Sequence, residues 1–349
     1  MRRCLTSVTI HGPAAMPIHV LQVEALTDAR LVELKTTLPT TQFAYPNVFR
    51  ILDYARSGVF TVMPLLVPIL VTAGTRLNWR FPPHDVLFNA ICNPDESATA
   101  MRIAAQLEKA SGRPVVNPVA AIAHTTRDGT AAVCAGIEGL HVPSVARIAP
   151  RYRDDVLALA AEAGVTMPMI VRPAGSHNAS GMALLRAQPD VRELDRFAFD
   201  GRPFYAIAFC DFRSADGLYR KVRLYVVGGR VLPRHRMVST SWQIGPYSRA
   251  ELMDGDARLR EEEHAFLSAP PHALVRIGEE IARRTGLDIF AIDCAELPDG
   301  RIVLFEVTTC AQLVTGRQIE APYGYTAEAV ERITRAVEEL FRGRLGNVH

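Results

Sequence analysis

The stretches Ile289-Phe-Ala-Ile-Asp293 and Ile302-Val-Leu-Phe-Glu306-Val-Thr308 are apolar strand sequences joined by the turn Pro298-Asp-Gly300. Each strand carries one carboxylate, Asp293 at the end of the first run and Glu306 inside the second. A buried carboxylate is costly unless it pairs with a cation or binds a metal. Two such groups on paired strands can hold Mg²⁺ through oxygen ligands, or they can pair with arginines at a strand end. The hairpin alone leaves both interpretations open.

The residues upstream of this hairpin alternate between strand and helix patterns, which favours an α/β fold with parallel strands. In the first part of the chain we predict strands at 16–23, 84–91 and 114–118, with a helix at 97–111. The apolar run 59–74 contains Pro64 and Pro68 and is short for a membrane span. It is therefore predicted to form a buried strand and loops.

Two further units follow. The second is predicted to contain helices and strands in alternation, at 125–138, 142–148, 153–164, 169–173 and 204–209. The third is predicted to open with a hairpin that turns at Gly228-Gly229. It continues with the charged stretch 246–268, expected to be flexible and solvated, a helix at 271–285, the carboxylate hairpin, and a helix at 326–342. The expected fold class is therefore α/β.

Composition excludes several classes of protein. The 349 residues carry 39 basic and 37 acidic side chains, a net charge of +2, which is the balance of a globular protein and gives no sign of a nucleic-acid partner. Only three of the basic residues are lysine, and 36 are arginine. The six cysteines are scattered, which predicts reduced buried thiols. No apolar signal segment follows Met1-Arg2-Arg3, so we expect a cytoplasmic protein that does not associate with membranes.

Four stretches together carry a family resemblance. They are, in chain order, Asn117-Pro118 through Thr126-Arg127-Asp128, then Ile170-Val-Arg172-Pro-Ala-Gly-Ser176, then Arg223-Leu-Tyr-Val-Val-Gly-Gly-Arg230, and finally Asp293 with Phe305-Glu306-Val307. No single stretch is specific, but the ordered set, over residues 84–312, resembles the ATP-grasp superfamily. The similarity is greatest to its carboxylate–amine ligase branch, which includes D-alanine–D-alanine ligase and the ribosomal-protein glutamate ligase.

The resemblance implies an architecture and a reaction. An extension (1–15) would precede an N-terminal open α/β domain (16–118), and ATP would lie between a central subdomain (119–212) and a C-terminal subdomain (213–349). The cofactors would be ATP and Mg²⁺, with Mn²⁺ as an alternative metal. A carboxylate substrate would become an acyl phosphate and then react with an amine, releasing ADP. Amino acids and peptides are candidate substrates, and a homodimer is compatible with the family.

The resemblance also implies roles for individual residues. Arg127 and Arg172 stand where the family has phosphate-binding lysines. The loop Gly175 to Gly181, with Gly175, Ser176 and His177, would close over the phosphates. The remaining assignments are the adenine segment Phe209, Cys210 and Asp211, the acyl-phosphate residues Lys221, Arg223 and Arg236, and the metal ligands Asp293, Glu306 and Thr308.

Some of these positions depart from the family pattern or keep a second interpretation. Thr308 replaces the usual asparagine of the metal strand, and both lysines are arginines, which keep the charge. His177 would donate to a phosphate or be a solvated loop residue. Lys221 would face phosphate or solvent, and His235 would lie beside the substrate or, as we favour, at a strand end on the surface.

Two other functions are compatible with this fold. One is a small-molecule kinase that transfers the phosphoryl group to a hydroxyl. The other is a nucleotide-binding module without catalysis, which the replaced lysines and asparagine would suit. The ligase is the function we predict.

Overall fold

The computed structural model describes residues 16–30, 33–37, 40–44, 47–68, 78–176, 181–245, 248–314 and 320–346. The strands are, in chain order, β1 (Ile18–Ala25), β2 (Glu33–Thr37), β3 (Thr40–Ala44), β4 (Phe60–Val67), β5 (Val86–Asn89), β6 (Val115–Val116), β7 (Leu140–His141), β8 (Val145–Ile148), β9 (Met169–Pro173), β10 (Ala183–Leu185), β11 (Phe204–Ala208), β12 (Tyr219–Val227), β13 (Arg230–Ser239), β14 (Ile289–Glu296) and β15 (Ile302–Thr308). The α-helices are α1 (Ala98–Ser111), α2 (Val119–Ile122), α3 (Arg127–Cys134), α4 (Asp155–Glu162), α5 (Ala257–Ser268), α6 (His272–Thr285) and α7 (Ala327–Gly346).

The first sheet is parallel, with strand order β4-β1-β5-β6. Helix α1 connects β5 to β6, so the predicted strand–helix–strand unit is confirmed. The antiparallel hairpin of β2 and β3 was not predicted. Strand β4 confirms a strand in the apolar run, but the prediction that it is buried is wrong. Val62 and Leu66 are 37% and 44% exposed, because β4 is an edge strand and Pro64 is tolerated only there or at a bulge.

The second sheet is antiparallel, with order β10-β9-β11-β8. Helix α4 and the 3₁₀ segment Gln188–Arg196 cover one of its faces and form a separate apolar core around Val156, Leu194 and Phe204. The opposite face is left for the cavity described below. The predicted helix 153–164 and strands 142–148, 169–173 and 204–209 are all present, with slightly different bounds.

The third sheet has order β13-β12-β14-β15-β7 and contains the carboxylate hairpin. Gly228 and Gly229 make the predicted turn with φ of 56° and 80°, a backbone region that suits glycine. Helices α3 and α6 pack on one face of this sheet, and their core continues to α1 of the first unit. Because β7 pairs with β15, the first part of the predicted central subdomain, up to His141, packs with the third sheet.

Two further predictions about local structure are wrong. The charged stretch 246–268 was expected to be flexible, but it contains a π-helix, Arg249–Met253, and α5. Its charges are paired within the protein, most clearly Arg249 with the buried Glu263. The cysteines were expected to be reduced, but Cys92 and Cys310 form a disulfide, with 5.0 Å between their Cα atoms. They are 218 residues apart, so their spacing in the sequence gave no sign of this pair.

Within the described ranges, no helix has both the length and the apolar composition needed to cross a bilayer. Helix α7 is amphipathic and buries Ile333, Val337 and Phe341 against β1, β5 and the third sheet. It therefore closes the third sheet on the side that faces the first unit. The predicted helix 326–342 is confirmed.

Candidate active site

A cavity of about 770 Å³ lies between the second and third sheets. Arg172 and Ile170 of β9 line one wall, and Arg223, Asp293 and Glu306 line the other. Residues 47–54 of the first unit border the same space with Asn47, Arg50, Asp53 and Tyr54, and none of these was predicted from the sequence. All three units therefore contribute to one site.

Asp293 is the centre of a buried ion-pair network on the third sheet. Strand pairing places it directly opposite Glu306 on one side and Arg223 on the other. Arg223 donates to both of its oxygens, from Nε at 2.6 Å and from Nη2 at 2.8 Å, and Lys221 Nζ lies 3.2 Å from Oδ2. Burial alone would raise the pKa of Asp293, but the charges of Arg223 and Lys221 outweigh it and hold that pKa well below its ordinary value.

Glu306 lies beside Asp293 and is the more accessible of the two carboxylates. Its side chain is 21% exposed against 6% for Asp293. Arg127, at the first turn of α3, reaches across to it, with Nη2 3.5 Å from Oε1. Arg127 also donates from Nη1 to the Phe305 carbonyl at 2.9 Å. The sheet thus holds Arg127 at the rim of the cavity, beside the carboxylate pair.

Arg172 faces this network from β9 and is 96% buried. Its guanidinium donates from Nε to Ser176 Oγ at 3.0 Å and from Nη2 to the Ser176 carbonyl. Among the described residues, no carboxylate forms an ion pair with it. Burial, and then the neighbouring charge of Arg127, lower the pKa of Arg172 to about 9. A buried cation that faces a cavity without a carboxylate partner is suited to an anionic ligand.

The predicted phosphate loop begins directly after Arg172. Gly175 has φ of 79°, and a Cβ added there would lie 2.5 Å from Glu96 Cγ, so the position requires glycine. Its carbonyl accepts from Asn93 Nδ2 at 3.0 Å, which attaches the start of the loop to the first unit. Gly175 and Ser176 are not in the cavity wall themselves, and His177 lies outside the described residues.

The predicted adenine segment lies only partly at the cavity. Phe209 and Cys210 line it. The Phe209 ring stands edge-on to Trp242, with 5.7 Å between ring centroids. The side chain of Asp211 caps a local turn instead, where its Oδ1 accepts from the Arg213 backbone N–H at 3.1 Å. Trp242 in turn packs in an apolar cluster with Met237 and Phe305, which also line the cavity, so this end suits a flat, apolar group.

The structure does not bring Arg236 to the cavity. Its Nε lies 2.9 Å from Glu262 of α5, on the other face of the sheet. The β12–β13 register shifts by one residue at Arg223 and leaves Arg234 as the extra residue of β13. Because of this shift, His235 lies opposite Arg223. The preferred surface position of His235 is therefore wrong, since this side chain is 97% buried and lines the cavity.

The predicted metal ligands lie together at the carboxylate hairpin. Thr308 also lines the cavity, and its Oγ1 accepts from the Cys310 backbone N–H at 2.9 Å. Within the described part of the chain, no group of three or more His, Cys, Asp and Glu side chains could form a metal cage on its own. Mg²⁺ commonly takes one or two carboxylates and completes its shell with phosphate oxygens and water. Glu306 and Asp293 fit a metal ion that arrives with phosphate.

Comparisons with known proteins support this architecture. No protein-family model matches the sequence, and no curated protein matches it either. An ATP-grasp RimK-domain protein from Sphaerobacter thermophilus superposes with a TM-score of 0.52 at 16% identity, covering 93% of this chain and 100% of the other. VanG D-Ala:D-Ser ligase from Enterococcus faecalis gives 0.54 at 12%, covering 94% and 99%. D-alanine–D-alanine ligase from Bacillus anthracis gives 0.50 at 9%, covering 94% and 98%. The chain has the ATP-grasp fold that its four sequence stretches predict.

Proposed function

We propose that this protein is an ATP-dependent carboxylate–amine ligase. In the first step a substrate carboxylate oxygen attacks the γ-phosphorus of ATP, the bond to the bridging oxygen breaks, and ADP leaves. In the second step an amine attacks the carbonyl carbon of the acyl phosphate, the bond to the phosphate oxygen breaks, and the amine loses a proton. The products are an amide, ADP and phosphate.

One observation carries the proposal. Arg172 is a buried cation at the cavity that has no carboxylate partner among the described residues. A polyphosphate would supply the missing negative charge, and Arg127 lies on the opposite rim to share it. The planar guanidinium suits phosphate oxygens, so both arginines can replace the lysines that the family resemblance leads one to expect.

The other site residues have distinct tasks in this proposal. Phe209 and its apolar neighbours would receive the adenine, and Arg223 and Lys221 would face the acyl phosphate as it forms. Positive groups fixed in place before the reaction stabilise the charge of the transferring phosphoryl group. Because an acyl phosphate is hydrolysed by water, the attachment of Gly175 to Asn93 would help to keep the cavity closed.

Glu306 would be the principal protein ligand of Mg²⁺ or Mn²⁺, with Asp293 and Thr308 beside it. The metal, when bound, would neutralise phosphate charge. Asp293 already accepts hydrogen bonds from Arg223 on both of its oxygens, so Glu306 is the carboxylate better placed to take a new cation.

The direct test is ADP release from ATP and Mg²⁺ in the presence of paired carboxylates and amines, amino acids included. Mass spectrometry of the product separates the possibilities: a ligase product has lost water, whereas a kinase product has gained a phosphate. ATP binding without turnover on any pair would favour the non-catalytic module instead.

Glu306→Gln should lower Mg²⁺-dependent ADP release by about 100-fold or more, because it removes the charge of the metal ligand. Glu296→Gln is the matched control, since Glu296 is exposed at the end of the same hairpin. The control should keep full activity, and both variants should keep the wild-type circular dichroism. Full activity of Glu306→Gln would overturn the metal assignment.

A further inference from the structure

His235 is a buried group that the proposed reaction does not use. It lies within β13, is 97% buried, and lines the cavity. Neither of its ring nitrogens has a hydrogen-bond partner among the described residues. Buried polar side chains in native proteins are almost always hydrogen-bonded, so an exception that faces a cavity points to a ligand.

The charges around His235 indicate what kind of group it receives. Burial, and then the nearby Arg223, Arg234 and Arg249, lower the pKa of His235 well below its ordinary value, and Asp293 opposes them. The imidazole is therefore neutral, with one N–H donor and one acceptor nitrogen. Arginines of β12, of β13 and of the π-helix lie around it, and two of them, Arg223 and Arg249, also pair with Asp293 and Glu263. An anionic group is therefore favoured here over a second cation.

Arg223 can share this ligand with His235. The two residues are directly opposite each other on β12 and β13. Asp293 takes the Nε and one Nη hydrogen bond of Arg223, and a guanidinium has five N–H donors. Further N–H groups of Arg223 therefore remain for an oxygen placed between Arg223 and His235.

This position lies on the side of Arg223 that is away from Asp293 and Glu306. The order of the strands places His235 two strand spacings from Asp293, about 10 Å between backbones, and Glu306 is one strand farther. In the proposed reaction the carboxylate that reacts with ATP would lie beside Glu306 and Arg172. An oxyanion at His235 would then be a second anionic group of the same substrate.

We propose that His235 and Arg223 bind a second anionic group of the acid substrate, a carboxylate or a phosphate, and so select dianionic acids over monoanionic ones. The assignment of the other anion as the reacting carboxylate rests on the proposed function. The anion site itself rests on the burial, the unpartnered nitrogens and the surrounding charges.

Calorimetric binding without ATP tests this directly. The probes are azelate, nonanoate and 8-phosphonooctanoate, which have similar lengths, can span roughly 10 Å and differ in the second group. Wild-type protein should bind azelate or the phosphonate about 10-fold or more tighter than nonanoate, the range of a hydrogen bond to a charged group. The better of the two dianions identifies the second group as carboxylate-like or phosphate-like.

His235→Phe should remove this preference, and His235→Gln, which keeps an N–H donor, should retain most of it. His264→Phe is the matched control at an exposed position of α5, where the ring packs against Tyr325, and it should behave as wild type. Equal binding of all probes by the wild-type protein, or an unchanged preference in a folded His235→Phe variant, would overturn the proposal. If the preference holds but ADP is never released, the anion site stands and the proposed ligase function fails.

Discussion

The two walls of the cavity differ in how their buried charges are balanced. On the third sheet, Asp293 accepts hydrogen bonds from Arg223 and contacts Lys221, so its charge is neutralised within the protein. On the second sheet, Arg172 is equally buried but, among the described residues, is held only by Ser176 and the sulfur of Met182. The Asp293 network is balanced without a ligand, and Arg172 is not.

This difference distinguishes paired buried charges, which stabilise the fold, from an unpaired buried charge, which can bind a ligand. A paired buried charge is costly to disrupt because its partner is left alone. An unpaired buried charge already reduces stability. Its removal should therefore change the free energy of unfolding little, but it should weaken ligand binding considerably. A substitution at Asp293 should therefore lower the free energy of unfolding, whereas a substitution at Arg172 should leave it unchanged or raise it.

The largest effect is expected at Asp293. Asp293→Asn leaves Arg223 and Lys221 buried without their carboxylate and should lower the free energy of unfolding by about 3–5 kcal/mol. Chemical denaturation measures this change. Asp299→Asn is the matched control, because that carboxylate is exposed at the turn of the same hairpin, and its unfolding curve should overlay the wild type. A loss below about 1 kcal/mol at Asp293 would show that the network does not stabilise the fold.

A smaller effect, on activity, is expected at Arg172. Arg172→Met should lower ADP release by about 100-fold, as the loss of one preorganised donor to a reacting group does. Its free energy of unfolding should stay the same or rise, since an unpaired buried cation is removed. Arg172→Lys should keep more of the activity because it keeps the charge. A strongly destabilised Arg172→Met protein would contradict the contrast between the two walls.

Most of the longer strands, and the residues that lie on a regular register, could be predicted from the sequence. The hairpin around Asp293 and Glu306 was predicted because apolar runs interrupted by single carboxylates are readily identified. The same approach failed at Arg236 and His235, since a single extra residue in β13 reverses the faces of all that follow. Pro233, which cannot donate a backbone hydrogen bond, was the one local sign of that irregularity.

Long-range pairing limited the other predictions. The stretch that contains α5 has the composition of a solvated surface, and only the fold shows that Glu263 is buried against Arg249 and Tyr325. The residues Arg50, Asp53 and Tyr54 reach the cavity through packing of the first unit against the third sheet, and no short-range pattern reports such packing. That no described carboxylate forms an ion pair with Arg172 is likewise a property of the folded chain.

The smallest effect is a pH dependence that sharpens the comparison. Arg223 and Lys221 depress the pKa of Asp293 in the folded protein. As the pH falls toward and below about 3.9, the ordinary Asp pKa, this carboxyl takes up a proton in the unfolded chain but not in the folded protein. The stabilisation is therefore fully present above about pH 5 and is lost at lower pH. The difference in unfolding free energy between wild type and Asp293→Asn should shrink by about 1 kcal/mol between about pH 5 and pH 3.

Denaturation curves across this pH range, with and without about 0.5 M NaCl, isolate the contribution of Asp293, since salt screens exposed ion pairs much more than buried ones. The contributions of other carboxylates to the unfolding free energy cancel in the difference between the two proteins. The decrease of this difference at low pH should persist in salt because Asp293 is 96% buried. A difference that is flat with pH would mean that Asp293 titrates normally, and one that vanishes in salt would place the pair in contact with solvent. In either case the charge of Asp293 would be no better balanced within the protein than the charge of Arg172.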